Sequence, residues 1–528
     1  MPEPGILILS SAYVNDDIAA EYGKLPPCML PHGAGRLVDR QLARVGPGRR
    51  IVFTLPEDFP IAANDLPEEN ERLLVLRYDD RRSLVDVLLS AIQEGDLQGD
   101  FEVLFGDTLF TDQTQLPPDA VAVGADPHPY RWTFARHDGD PCFVRGDGTD
   151  DTGGRPICGY FRFSAIEELA STPQDNLEDI LNTYSSQRSL GLVSRSDWQD
   201  LGHLSTLFKA RRQALVSRCF NTIQVTGETV CKRSLDKTKM EAEAAWYENL
   251  PAAMALHAPR YLGRVEEGYR TEYLNLPMLS EIFVFGRLPS RSWDPIAEAI
   301  GRLLDLARNL SEELPAQHRR DLAAKSYDRL TKAKTIQRVS TFLSARPNSR
   351  HLPATFNGSS VPSLEEMVEA SLSRVPDPEP RDCGFVHGDL FLSNMFFDSR
   401  AERVFCIDPR GVENLDHHAF GDLRYDLGKL GHSLIGYYDH AIFGRSRLIR
   451  SGPSWDHCVS ISSDTASVGK RILAMLCQAH QCPLDVIRAQ AALMFFSMLP
   501  LHADDPDRQD LLLAHGIRLF LENERSDP

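Results

Sequence analysis

The stretch His387-Gly388-Asp389-Leu390-Phe391-Leu392-Ser393-Asn394, followed by Ile407-Asp408-Pro409-Arg410-Gly411, constrains this chain more than any other. Apolar runs flank it: Gly384-Phe385-Val386 before, Met395-Phe396-Phe397 after, and then Val404-Phe405-Cys406-Ile407. Apolar runs this short between polar turns read as buried strands. Asp398-Ser399-Arg400 supplies a turn that folds two of them into a hairpin. The open end of that hairpin then carries Asn394 and Asp408 on neighbouring strands, with Asp389 in the loop just before. The spacing follows H-x-D-L-x-x-x-N, in which the Asp orients an acceptor hydroxyl and the Asn holds Mg²⁺ during phosphoryl transfer from a nucleotide. A second Asp leaving an apolar strand is placed to hold the metal ions that bridge the β- and γ-phosphates. Taken singly, each residue also fits a plainer part, such as a loop Asp capping its own turn or a His packed in a core. The whole set, in order and in a strand–loop–strand context, carries the weight.

The set resembles the aminoglycoside phosphotransferase and choline kinase superfamily, small-molecule kinases that share the two-lobed protein-kinase fold. The resemblance implies Asp389 as catalytic base, with Asn394 and Asp408 as Mg²⁺ ligands. Upstream, Thr229-Val230-Cys231-Lys232-Arg233-Ser234 resembles the strand whose Lys reaches the α- and β-phosphates of ATP, which nominates Lys232. Residues 239–247 (KMEAEAAWY) read as the following helix, where Glu243 or Glu241 pairs with that Lys. Tyr273-Leu274-Asn275-Leu276 resembles the segment between the lobes that receives adenine, so Tyr273 and Leu274 are also candidate nucleotide-binding residues. Residues 421–430 (GDLRYDLGKL) resemble the helix that follows the metal-binding Asp; Asp422 and Asp426 in it read as helix capping and loop support. One departure stands out. No G-x-G-x-x-G precedes Lys232; Arg218-Cys219-Phe220-Asn221-Thr222 takes its place, which implies a short turn over the phosphates.

The chain's 528 residues exceed one ordinary core and suggest two or three domains. Its 57 basic and 75 acidic side chains leave a net charge of −18. That balance argues against nucleic acid, which needs a basic footprint, and against anionic membrane surfaces. No run of 18 or more apolar residues suggests a membrane span, and the first residues lack the basic start and long apolar core of a signal peptide. The ten cysteines include no C-x-x-C pair, and Cys28, Cys231 and Cys406 sit among apolar residues. Buried free thiols point to a reducing, cytoplasmic setting. Small-molecule substrates and nucleotides are the expected partners, with oligomeric state left open.

Apolar runs at residues 5–11, 50–55, 72–76 and 101–105, with a helical pattern at 84–92, predict an α/β domain built on a doubly wound, mostly parallel sheet. Such sheets bind ligands at the carboxyl ends of their strands, where Gly106-Asp107 lies. Near Val216 the pattern changes to short, antiparallel-looking strands and then to long helical stretches. The expected division is therefore 1–215 and 216–528. Residues 346–362 and 376–382 read as surface loops.

The first domain resembles nucleotide-sugar pyrophosphorylases and related nucleotidylyltransferases. The resemblance rests on Leu25-Pro26-Pro27-Cys28-Met29-Leu30-Pro31 with Arg36-Leu37-Val38-Asp39-Arg40-Gln41, on Leu104-Phe105-Gly106-Asp107, on Gly159-Tyr160-Phe161-Arg162-Phe163-Ser164, and on Trp198-Gln199-Asp200-Leu201-Gly202-His203. It implies that Asp107 and Asp200 share Mg²⁺ between the nucleotide α-phosphate and an attacking phosphate. The family's glycine-rich opening loop is replaced by residues 10–17 (SSAYVNDD), and its Pro-Lys by Pro27-Cys28, with Lys24 the nearest substitute cation. The two resemblances imply a bifunctional enzyme for surface or capsule polysaccharide assembly. A sugar, polyol or amino alcohol would be phosphorylated from ATP and then coupled to a nucleotide such as one from CTP or UTP. The alternatives are a kinase with a non-catalytic regulatory domain that binds nucleotide sugars, a scaffold of degenerate enzymes, and a glycosyltransferase-like first domain using Asp107.

Overall fold

The computed structural model describes residues 4–46, 48–61, 66, 72–112, 114–124, 130, 132–138, 140–146, 154–171, 175–213, 221–346, 352–410 and 419–525. Gly411, Arg218-Cys219-Phe220 and the expected boundary near Val216 lie outside them. The chain divides into two compact units, residues 1–214 with 285–287 and residues 215–284 with 288–528.

In the first unit β1 (Gly5–Leu9), β2 (Ile51–Pro56), β3 (Leu73–Tyr78) and β4 (Phe101–Phe105) pair in parallel in the order β4-β1-β2-β3. Leu7, Ile8, Val52, Phe53 and Val103 are buried, the two-faced burial that makes parallel strands read as unbroken apolar runs. The helix Leu84–Glu94 starts at Ser83, whose side chain accepts from Asp86 N, and it packs Val85, Leu88, Ala91 and Ile92 into the same core.

Beyond β4 the sheet departs from the mostly parallel expectation. β5 (Arg155–Phe163) runs antiparallel to β4 and to the strand Ala120–Val123, and Thr133–Asp138 pairs antiparallel with both β5 and Asp140–Arg145. The helix Leu84–Glu94 leads into β4, whereas among the described residues no α-helix lies between β4 and β5. Without crossover helices, neighbouring strands are joined by turns and alternate in direction. β6 (Trp198–Asp200) pairs with Thr108–Phe110, register Asp200 to Thr108, just past the carboxyl end of β4.

The second unit opens with a four-stranded antiparallel sheet in the order Asn221–Thr226, β7 (Thr229–Ser234), Gly268–Glu272, Tyr261–Val265. α1 (Lys237–Glu248) follows β7, its first turn capped by Asp236. Helices Trp293–Asn309 and Ala316–Tyr327 come next. A π-helical turn, Asp328–Ala333, then leads directly into α2 (Lys334–Ala345). β8 (Met395–Asp398) and β9 (Arg403–Cys406) form the expected hairpin, and α3 (Arg424–Leu434) follows the short strand Phe420–Asp422.

Within the loop expected at 346–362, Thr355–Phe356 and Ser359–Ser360 form a small hairpin that joins Ser454–Val459. Asn357 and Gly358 at its turn both have left-handed φ, 45° and 75°, as Asn-Gly hairpin turns require. The helical run Leu484–His502, mean hydropathy 1.4, is by length and composition able to cross a membrane. It is 67% buried inside the protein and packs against α3 and the helix Pro506–Arg525, as a core helix does.

Candidate active sites

In the second unit the side chains converge around the mouth of the β8–β9 hairpin. Lys232 on β7 is buried, and its Nζ lies 2.8 Å from Glu243 Oε2 and 3.0 Å from Asp408 Oδ1. Burial disfavours the ammonium, but the two carboxylates outweigh it and raise the Lys232 pKa. Tyr269 completes the group by donating to Glu243 Oε2 at 2.8 Å. Glu241, the other candidate partner, faces solvent.

Ile407 N donates to Asn394 O at 2.9 Å, which continues the hairpin ladder one step beyond Met395↔Cys406 and sets Asp408 next to Asn394. Asp408 has φ +56°, a left-handed conformation that Asp tolerates better than most residues. Asn394 Nδ2 donates to Asp389 O at 2.9 Å, which leaves its Oδ1 as the end a cation would take. One amide oxygen and one carboxylate fit Mg²⁺, which takes few protein ligands and completes its shell with phosphates and water. Among the described residues no group of three or more His, Cys, Asp or Glu is placed to hold a metal ion.

Asp389 lies 2.8 Å from Lys429 Nζ on α3. Burial would raise its pKa, yet Lys429 and Arg410 hold the carboxyl well below the usual carboxylate range. Its loop is tied from beneath. Asp426 Oδ2 accepts from His387 N at 2.8 Å and Oδ1 from Gly388 N at 2.9 Å. His387 is buried and packs edge-on to Trp246. Its Nδ1 accepts from Asp389 N at 3.2 Å, and burial lowers its pKa to about 4, so the ring is neutral with its proton on Nε2. Gly388 has φ +79°, and a Cβ there would stand 2.7 Å from Arg410 Cβ, so neither the turn nor the space admits a side chain.

In the first unit, Gln41 clamps the turn after β4 by donating to the carbonyls of Phe105, Gly106 and Thr108. Gly106 sits so close to Ser10 that a Cβ would meet Ser10 Oγ. Leu201 N donates to Asp107 O at 2.8 Å, which draws β6 alongside. Asp107 and Asp200 then face each other across Gly202: a Cβ on Gly202 would lie 2.5 Å from Asp107 Oδ2 and 3.2 Å from Asp200 Oδ1. Burial and the Asp200 charge push the Asp107 carboxyl up to about 6. Two carboxylates crowded in this way suit a divalent cation. Asp200 is fixed by Thr206 Oγ1 at 2.6 Å, His203 Nδ1 at 2.8 Å and Gly202 N at 3.1 Å. The segment that replaces the glycine loop reaches the same place, Asn15 Nδ2 donating to Gly202 O at 2.9 Å. Lys24 does not approach the pair through any ion pair of its own. It lies 3.2 Å from Asp80, 3.8 Å from Asp58 and over the Tyr13 ring, so its charge is matched by carboxylates from two other strand ends.

Compared with known families, residues 216–446 match the phosphotransferase enzyme family. These residues are a phosphotransferase-family domain. For the first unit, similar solved structures include a putative glucose-1-phosphate thymidylyltransferase from Bacillus anthracis in complex with a sucrose (13% identity, 40% of this chain and 95% of that chain, TM-score 0.32). A nucleoside-diphosphate-sugar pyrophosphorylase from Vibrio cholerae RC9 is similar at 14% identity (39% and 100%, TM-score 0.31), and HddC from Yersinia pseudotuberculosis at 16% (40% and 99%, TM-score 0.31). No curated protein matches the chain.

In the phosphotransferase domain the structure brings Lys232, Glu243 and Asp408 into one ion-paired group and sets Asn394 against Asp389. Tyr273 and Leu274 follow the sheet as an irregular segment. Tyr273 N is already engaged with Glu228 O at 2.7 Å, so base recognition there would fall to other backbone groups. Sequence reasoning missed Lys429 as the partner of Asp389, though a lone Lys between Leu427-Gly428 and Leu430-Gly431 was a visible anomaly. In the first unit it missed Gln41, Thr206 and His203 as supports.

The Asp426 tether gives a first test. Asp426→Ala leaves two buried N–H groups without acceptors and should lower unfolding stability by about 3 kcal/mol, read from urea midpoints. Asp426→Asn, which keeps one acceptor oxygen, should fall between that variant and the native chain.

Proposed function

We propose that the chain is a bifunctional enzyme that activates a small hydroxyl compound in two steps. The 216–528 region phosphorylates a sugar, polyol or amino alcohol from ATP with Mg²⁺. The 1–215 region then couples the new phosphate to a nucleotide, from CTP or UTP, with release of pyrophosphate. The observation that carries the reading is Lys232 bridging Glu243 and Asp408 beside a tethered Asp389.

In the kinase step the acceptor oxygen bonds to the γ-phosphorus as the bond to the β–γ bridging oxygen breaks, and ADP departs. Asp389 accepts the hydroxyl hydrogen bond and aims that oxygen. A carboxylate held below its usual pKa range is a weak base, so Asp389 takes the proton late, which suits a loose transition state. Asn394 and Asp408 would hold Mg²⁺, which supplies charge stabilisation at the phosphates, while Lys232 holds the phosphate chain and Tyr273–Leu274 border the base. In the other unit, Asp107 and Asp200 would share a metal ion across Gly202, whose lack of a side chain leaves room between them.

A second reading, in which the first unit binds a nucleotide sugar without turnover, draws support from residues 10–17 and the committed charge of Lys24. Incubation with ATP, CTP, UTP, Mg²⁺ and a panel of sugars, polyols and amino alcohols, followed by mass spectrometry, tests both. ADP with a phosphorylated acceptor, and then a nucleotide-linked product, is expected. Phosphorylated acceptor without pyrophosphate release selects the second reading, and no ADP with any acceptor defeats both.

A further inference from the structure

Next to Asp389 the phosphotransferase domain gathers cations that the nucleotide site does not use. Lys334 and Arg338 stand four residues apart, on one face of α2, just after the π-helical turn Asp328–Ala333. Tyr425 and Lys429 share a face of α3 in the same way. Arg410 follows Asp408 by two residues. The buried Tyr425 hydroxyl receives Lys334 Nζ at 3.0 Å and Arg410 Nη1 at 3.2 Å. Lys429 Nζ sits 6.0 Å from the Tyr425 ring centroid and bonds Asp389 on its other side. The row therefore runs from Asp389 through Lys429, Tyr425 and Arg410 to Lys334, with Arg338 one helical turn further on.

Two of its four charges, Lys334 and Arg338, have no acidic partner among the described residues. Arg338 donates to the Ser497 carbonyl, and Lys429 pairs with Asp389 alone. All four cations are part-buried. Burial should raise the Tyr425 pKa, yet Lys334, Lys429 and Arg410 bring it down to about 7. Burial lowers Lys334 to about 8, and Arg410 and Lys429 push in the same direction. Like charges crowded in part-buried positions repel, and an anion set among them relieves that repulsion. In a chain of net charge −18 this concentration is local and specific.

We propose that this row is an anion-binding acceptor subsite: the hydroxyl compound phosphorylated at Asp389 carries a phosphate or carboxylate of its own, held by Lys334, Arg338 and Arg410 above Tyr425. The proposal rests on the kinase reading and narrows it, because an amino alcohol would bring a cation into a cationic pocket.

The test uses the full chain with ATP, Mg²⁺ and matched acceptors: glycerol and glycerol 3-phosphate, glucose and glucose 6-phosphate, gluconate, and choline. Anionic acceptors should show kcat/KM higher than their neutral partners by about 100-fold, and comparing the phosphates with gluconate identifies the preferred anion. Lys334→Met and Arg338→Gln should each raise KM for the anionic acceptor by about 10-fold, with kcat and the KM for ATP within about twofold of native. Inorganic phosphate added without ATP should suppress the Tyr425 phenolate absorbance, measured against Tyr425→Phe, and Lys334→Met should abolish the effect. A preference for neutral or cationic acceptors overturns the proposal, and so do variants that raise the KM for ATP instead. Asp389-dependent transfer in the same assays would then leave the kinase reading standing. A phosphate-dependent phenolate change with no transfer to any acceptor supports the anion subsite and overturns the kinase reading alone.

Discussion

Asp389→Asn is expected to lower kcat for phosphoryl transfer by about 10³-fold while leaving the KM for ATP within about twofold, measured by coupled ADP release. The amide keeps the size and shape of the side chain but loses the charge. It can still touch the acceptor hydroxyl, yet it cannot take the proton or hold Lys429 by an ion pair. In the proposed assignment nucleotide grip would rest instead on Lys232, Asn394 and Asp408, which the substitution leaves in place, so the loss should fall on turnover. Near-native turnover would show that the acceptor hydroxyl is aimed by another group.

Asp107→Asn is expected to lower pyrophosphate release by about 10²-fold or more, with ATP-dependent phosphorylation of the acceptor unchanged. Asp107 and Asp200 crowd the same gap, and a metal shared by both loses half of its protein charge when one is neutralised. Because the substitution removes a like-charge repulsion with Asp200, the variant should be at least as stable to denaturant as the native chain. Lower activity therefore cannot be assigned to unfolding. Equal loss in both reactions would sink the division of labour between the two units.

Local pattern made part of this architecture legible. The hairpin bearing Asn394 and Asp408 follows from short apolar runs around a polar turn, and Lys232 follows from its place in a strand ahead of a helix. The choice between Glu241 and Glu243 was not legible without the phase of α1. Residues two apart on a helix point about 200° apart, so only one can meet Lys232. Lys429 pairs with Asp389 from 40 positions further along the chain, a contact that only the packing of α3 beneath the loop creates. The antiparallel half of the first sheet was missed because the parallel half, with its helical interludes, dominated the pattern. The Asn357-Gly358 turn was misread for the opposite reason: its strands are two residues each, too short to show any alternation. The cation row was invisible in sequence because Lys334, Arg338, Arg410 and Lys429 come from three separate segments.

The peptide that leaves the upper sheet at Tyr273 is stitched to the strand that carries the site. Pro277 O receives Phe397 N at 3.2 Å, and Met278 pairs with Phe396 across an antiparallel bridge. The far end of the 273–276 segment is therefore anchored to β8, whose first residue directly follows Asn394. Under the proposed kinase reading, the segment beside the base and the strand beside the cation share one backbone anchor.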